Sequence, residues 1–171
     1  MAESQALTPS GPDDEAFRAV LGRFATGVGI MTTVADGVPH AMTANAIASV
    51  SLRPHLVLIC VERATVMATR VRAGGVFALS FLAADQADLS AWFADPERPA
   101  DADQFLGVPC RTAVTGAPVL ERNVGWLDGR VHATHPAGDH DVVIGEVLDL
   151  GVGGTDEPLV YYASAYRRLQ G

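Results

Sequence analysis

Residues 42–51 read MTANAIASVS, a run of small side chains between two apolar segments, and the way it is laid down decides what kind of sheet this chain builds. Taken as one extended strand with a repeat of two, it puts Thr43, Asn45, Ser49 and Ser51 with Ile47 on one side. Met42, Ala44, Ala46, Ala48 and Val50 fall on the other. A strand ordinarily buries one face and wets the other with long charged groups. Here the would-be wet face offers short hydroxyls and an amide, which is unusual for plain solvent exposure and leaves small donors in want of a partner.

Outward from this run the chain is mostly strand. VGIMTTVA precedes it, and Asp36-Gly37 supplies a hairpin turn into VPHAMTANAIASVS. HLVLICV follows Pro54, then VFALSFL, GWLDGRVHATH, DVVIGEVLDLGV and PLVYYAS, separated by turn-rich stretches. Three helices punctuate them. Phe17, Val20, Leu21 and Phe24 at i, i+3, i+4 and i+7 predict an amphipathic helix over 13–26, with acids at its start and Gly27 at its end. Two shorter ones are expected over 65–73, ended by Gly74-Gly75, and over 86–93. Strands outnumber helices without alternating with them, which excludes a doubly wound parallel sheet and predicts a small antiparallel barrel with helical decorations. The stretch 94–118, rich in Pro, Asp and Ala, reads as a long surface excursion, and residues 1–12 as a loose arm before one domain spanning 13–171.

The 171 residues suffice for one domain with a full core. Apolar residues make up 49% and charged ones 19%, a globular and slightly greasy composition that suits burial of part of the surface in an oligomer. Twelve Lys and Arg against 20 Asp and Glu give a net charge of -8, so nucleic acid and anionic membrane are poor partners. Cys60 and Cys110 lie far apart outside any CxxC and read as buried thiols. His132 and His135, three apart in an extended segment, fall on opposite faces, and no metal site is expected. The first residues lack the basic start and apolar core of a signal peptide, which predicts a cytoplasmic protein.

No GxGxxG opens a helix after a strand, and there is no GxxxxGK[ST], GxSxG or HExxH. With no nucleophile, base or metal centre in evidence, any chemistry here falls to a bound organic cofactor.

The ordered set FRAVLGRFATGVGIMTTVADGVPHAMTANAIASVSLRPHLVLICVE, GGVFALSFLAADQADLSAWFA, DQFLGV, GAPVL, AGDHDVVIGEV and PLVYYASAYRRL resembles the short-chain flavin reductases. These are FMN-binding split-barrel proteins that serve as reductase components of two-component flavin-dependent monooxygenases, and the resemblance runs over about residues 16–169. It implies a mainly β fold with short helices, a Greek-key antiparallel split barrel, in a homodimer. It also implies that FMN or FAD is reduced by NADH or NADPH and passed to a partner oxygenase. By that resemblance the flavin lies along Met42, Thr43, Ala44, Asn45, Ala46, Ser49 and Ser51, where small residues admit a planar ring and hydroxyls donate to it. Large side chains at Ala44 or Ala46 would push the ring away.

A second contact falls at Cys60, Val61, Glu62, Arg63 and Thr65, where a phosphate would meet a helix N-terminus. The chain departs from the family pattern there, with Ala64 and Met67 where hydroxyls are common, and Arg63 is a candidate replacement partner for the anion. His140, in Gly138-Asp139-His140, takes the place of the histidine on the nicotinamide side; a mere Asp-turn is the structural alternative. Tyr162, Ser164 and Tyr166 are expected at the nicotinamide entrance, and Phe93 near the flavin, with plain core filling as the other reading of the aromatic residues. Two further functions share such a barrel: a flavin-binding carrier or electron-transfer protein that does not turn over, and an enzyme akin to the pyridoxamine-phosphate oxidases. The latter would want a basic cluster for a phosphorylated substrate, and the sequence offers none.

Overall fold

The computed structural model of the chain describes Gly11, residues 13–154 and residues 157–169. The expected arm over 1–12 lies, Gly11 apart, outside the described residues. In chain order the first elements are α1 (Asp14–Leu21), β1 (Thr26–Gly27), β2 (Gly29–Ala35), β3 (Val38–Ala44), β4 (Ile47–Leu52) and β5 (His55–Glu62). Then come α2 (Val66–Gly74), β6 (Val76–Phe81), α3 (Ala87–Ala94) and a 3-10 turn, Ala102–Phe105. The chain closes with β7 (Cys110–Thr112), β8 (Pro118–Leu120), β9 (Gly125–Ala137), β10 (His140–Val152), β11 (Val160–Tyr162) and β12 (Ala165–Arg167).

Seven strands form one sheet in the order β3-β2-β6-β9-β10-β5-β4, every neighbouring pair antiparallel. Its two edges, β3 and β4, are consecutive in the chain and separated only by Asn45 and Ala46. Three Cα steps span at most about 11 Å, whereas six interstrand gaps in a flat sheet would hold the edges roughly 29 Å apart. The sheet must therefore curl until its edges nearly meet. Among the described residues no ladder joins β3 to β4; the crossing peptide is tied instead to β5 through a 3.0 Å bond from the Cys60 N–H to the Ala46 carbonyl. This is a split barrel, as the strand pattern and the resemblance led one to expect.

MTANAIASVS is thus two edge strands, and the single two-faced strand read from the sequence needs correction. Met42 and Ala44 pack on the barrel core, and so does Ile47, which strict alternation had put on the opposite face. The break at Asn45–Ala46 shifts the parity by one. A second shift follows at Val50, an extra residue between the pairs Ser49↔Val57 and Ser51↔Leu56, and its side chain is turned outward.

The barrel encloses Met31, Ile59, Val61, Phe77, Leu79 and Val143, and Met67 and Val71 of α2 plug it. A Cβ on Gly145 would overlap the Phe77 ring, so this glycine makes room for the largest core side chain. A second core, with Ile30, Leu82, Phe93, Leu120 and Leu159, lies where α3 and β8 pack on the barrel wall.

Three other expectations are modified. The first helix ends at Gly22, short of Gly27, and the carbonyl of Gly22 accepts the Ala163 N–H at 2.8 Å. The helix carries none of its apolar face into either core, since Phe17, Val20, Leu21 and Phe24 are all exposed. The excursion over 94–118 is pinned rather than loose. Gln104 is fully buried, its Oε1 accepts the Ala41 N–H at 2.9 Å, and Arg98 donates to the Ala41 carbonyl. Together these two side chains cover the outer edge of β3, which would otherwise present unpaired backbone groups. Finally, PLVYYAS is not one strand: β11 turns at Ala163–Ser164, both with positive φ (50° and 59°), into β12, and β1 joins them in a separate three-stranded sheet.

Candidate functional site

The break between the barrel edges lies at the centre of three adjoining clefts. One, about 540 Å³, is lined by His40, Met42, Thr43, Glu62, Phe93 and Arg98 together with Ala64, Thr65 and Met67 at the start of α2. A second, about 580 Å³, runs beneath α1 past Asn45, Ala46, Ala48, Cys60, Tyr161 and Ser164. Between them sits a smaller pocket of about 240 Å³, which shares Thr43 and Ala94 with the first and Asn45 and Tyr161 with the second. Ala46 and Ala48 of the edge-strand region and Ala94 of α3 put small side chains in the groove's lining. Small side chains there let a flat ring approach the backbone.

Most of the residues singled out by sequence come together in this groove. Met42, Thr43, Asn45, Ala46, Cys60, Glu62, Thr65, Phe93, Ser164 and Tyr166 line one or more of its three parts. Ser49 lines a neighbouring cleft of about 340 Å³ that shares Asn45, Ile47 and Ala48 with the second. Ala44 and Val61 point into the barrel core instead, so an enlarged side chain at Ala44 would disturb packing before it reached a ligand. Ser51, past the shift at Val50, accepts the Arg53 N–H at 3.1 Å within its own turn. Tyr162 faces α1, its hydroxyl 3.5 Å from the Arg23 guanidinium.

The hydrogen bonds also fix what these groups can offer. Thr65 caps α2: its hydroxyl donates to the Glu62 carbonyl at 2.7 Å and accepts the Ala68 N–H at 3.3 Å. Thr43 donates to the Ser90 carbonyl at 2.6 Å. Neither hydroxyl hydrogen is free for a phosphate or a ring carbonyl, contrary to the donor role the sequence implied for Thr43. Arg63 pairs with Asp141 at 3.6 Å, Arg72 bonds the same nearly buried carboxylate, and Arg63 lines none of the three clefts. The sequence reading missed two cations of the groove: Arg18 in the second cleft and, in the first, Arg98. Beyond its bonds to the Ala41 and Asp95 carbonyls, its Nε is buried without a partner among the described residues.

His40 is buried beside it, with Nδ1 3.3 Å from the Ala100 carbonyl and 3.3 Å from Gln104 Nε2. Burial, aided by the Arg98 charge, lowers its pKa to about 4, so it is neutral at neutral pH. His140 lies outside the three clefts, opposite Glu62 in the β10–β5 pairing. Its Nδ1 is 2.7 Å from Asp139, whose own pKa is lowered first by that hydrogen bond and then by the imidazole charge.

Ser90, also missed, is fully buried and joins three elements. Its carbonyl takes the Thr43 hydroxyl, its Oγ takes the Tyr166 hydroxyl at 2.8 Å, and its own helix carries Phe93 one turn on. A hydroxyl at the i position of an apolar i, i+3 pair in LSAWFA was the signal that could have found it.

The residues present fit a flavin nucleotide. The groove is long, apolar-floored and open toward the first turn of α2, where backbone N–H groups favour an anion. Arg98 supplies positive charge on the facing wall. Comparison with known proteins agrees. Residues 21–170 match the family described as flavin reductase like domain. The chain is 34% identical over 160 residues, 92% of this chain and 83% of the other, to the reductase subunit HsaB of a flavin-dependent monooxygenase from Mycobacterium tuberculosis. It is 40% identical over 158 residues, 90% and 85% of the two chains, to an NADH-dependent flavin reductase of a Rhodococcus species. Among solved structures, the NADH:FAD oxidoreductase SgcE6 of Streptomyces globisporus, in complex with NAD and FAD fragments, is similar with a TM-score of 0.84 and 36% identity, covering 92% of this chain and 93% of that one.

Proposed function

Because this chain belongs to the flavin reductase like family, we propose that it is an NADH-dependent flavin reductase that reduces FMN or FAD and releases it to a flavin-dependent oxygenase. The observation that carries this reading is the single groove that offers a small-residue floor at Ala46, Ala48 and Ala94, an anion-favouring helix start at α2, and a side pocket walled by two tyrosines. Bound there, the flavin supplies a ring that accepts a hydride from a dihydropyridine. The protein's share of the chemistry is positional: Met42, Phe93 and Ala94 hold one ring, the Tyr161–Tyr166 wall places the other, and proximity provides the rate. Among the side chains of the groove none has to move a proton. His140, on the rim beside Glu62, meets the outlying part of the dinucleotide.

The exposed ridge Phe17, Val20, Leu21 and Phe24 supports a homodimer, since these side chains are between 51% and 74% exposed and Phe17, Leu21 and Phe24 already line the second cleft. Leu150 and Val152 extend the apolar surface on β10. No helix among the described residues is long and apolar enough to cross a membrane, and we assign the protein to the cytoplasm.

Mixing the protein with NADH and excess FMN or FAD in air, while following nicotinamide absorbance, tests the function. Continuous consumption of many equivalents is expected. A single stoichiometric bleach would favour the carrier instead.

A further inference from the structure

The first cleft carries unlike charge on its two walls. On the α2 side the first-turn N–H groups have no acceptor within the helix and together present about half a positive charge. Little reinforces them. The Thr65 hydroxyl has given its hydrogen to the Glu62 carbonyl, Ala64 has none to give, and Val66 and Met67 complete that wall. The cations close by are engaged elsewhere: Arg63 and Arg72 with Asp141, and His140, across the ladder from Glu62, with Asp139. Glu62 itself lines the cleft and has no ion pair among the described residues. A whole negative charge thus stands beside a partial positive one. On the facing wall the sign reverses. Arg98 is fixed there by its bonds to the Ala41 and Asp95 carbonyls and keeps further N–H groups unspent. Burial, and then the charges of Arg98 and Arg70, keep the neighbouring His40 neutral at neutral pH. His40 is only 3% exposed, and both its hydrogen-bond contacts fall on Nδ1, which leaves Nε2 without a partner among the described residues.

We propose that this cleft reads a diphosphate rather than a phosphomonoester, so that FAD is the preferred flavin, with one phosphate on the first turn of α2 and the other at the Arg98 and His40 wall. A phosphomonoester carries about 1.5 to 2 negative charges at pH 7. FMN concentrates that charge at one place, and at the α2 start it meets the Glu62 carboxylate. FAD carries a single charge on each of two phosphates and can set one against either wall. Glu62 is therefore a specificity-determining residue: its charge counts most against FMN and finds no phosphate to repel in riboflavin. Arg98 favours the flavin that has a second phosphate to offer it. The inference rests on the flavin reductase reading and adds to it which flavin nucleotide the enzyme takes and by which residues it chooses.

The test compares kcat/KM for riboflavin, FMN and FAD, at saturating NADH, in the wild type and in Glu62→Gln and Arg98→Gln. The wild type is expected to prefer FAD over FMN by more than threefold and by about tenfold, since like charges set close together at a binding site discriminate on that scale or above it. Glu62→Gln keeps the side chain's size and removes its charge, so FMN should gain on riboflavin about fivefold or more and the FAD-to-FMN ratio should narrow. Arg98→Gln should lower FAD relative to FMN. Because Arg98 also fastens its wall to β3, the deciding variant is Glu62→Gln, whose side chain is exposed and holds nothing else. A merely structural role for Glu62 would change all three flavins alike. Use of FMN within threefold of FAD or better by the wild type, or an FMN-to-riboflavin ratio unmoved by Glu62→Gln, overturns the proposal. Failure to reduce any of the three flavins with NADH overturns the flavin reductase reading as well, which separates the two.

Discussion

Replacing Gln104 by methionine keeps the side chain's length while removing its polar end. In the wild type the Oε1 accepts the Ala41 N–H at 2.9 Å and Nε2 donates to the Asp101 carbonyl at 2.6 Å, with both Gln104 and Ala41 fully buried. After substitution the Ala41 N–H, on the outer edge of β3, has lost its acceptor inside the protein. An unsatisfied buried donor costs about 1–3 kcal/mol and the second lost bond about 1 kcal/mol more, so the loss should come to roughly 2–4 kcal/mol. For a domain of this size that is a fall in Tm of roughly 5–15 °C. The 94–105 segment, unpinned, should also release Arg98, Pro99 and Ala100 from the wall of the 540 Å³ cleft, weakening flavin binding severalfold. Differential scanning calorimetry and flavin fluorescence titration measure the two effects. A variant that melts within 1 °C of the wild type and binds flavin equally well would refute the view that Gln104 fastens this wall.

Gly145→Ala sets a methyl against the buried Phe77 ring, and overpacking of that kind should lower stability by about 1–3 kcal/mol in urea unfolding; Phe77→Leu in the same background should restore part of it, and additive losses would count against the contact. The unfolded chain protonates His40 near 6.5 but the folded one only near about 4. Between those values the unfolded state binds more protons, so stability falls as pH drops through that window, by about 3 kcal/mol for this group. Urea midpoints from pH 7 to pH 4 should show His40→Asn with the shallower slope, and parallel slopes would remove the assignment. Val20→Glu places a charge on the exposed ridge of α1 and should convert the proposed dimer to monomer in sedimentation; a dimer mass that persists would argue that the ridge is not the interface.

The sequence alone determined most of the strands and the class of fold, because those follow from local chemistry; it missed the breaks that divide MTANAIASVS and PLVYYAS. The period-two runs, Asp36-Gly37 with its left-handed φ, and Thr65 and Gly75 closing the ends of α2 all act within a few residues. Most of the residues that the ordered set of segments pointed to lie along the three clefts. Tertiary structure alone decided what those residues offer. Thr43 became an acceptor because the distant carbonyl of Ser90 claimed its hydrogen. Arg63 was claimed by Asp141, while Arg98 came in from a segment that reads as surface loop. Alternation along MTANAIASVS failed for a similar reason. A sheet whose first and last strands are joined by two residues must bend sharply between them, and the bend resets which face each later side chain takes. Hydrogen-bond polarity and strand parity depend on partners dozens of residues away, which no local pattern encodes.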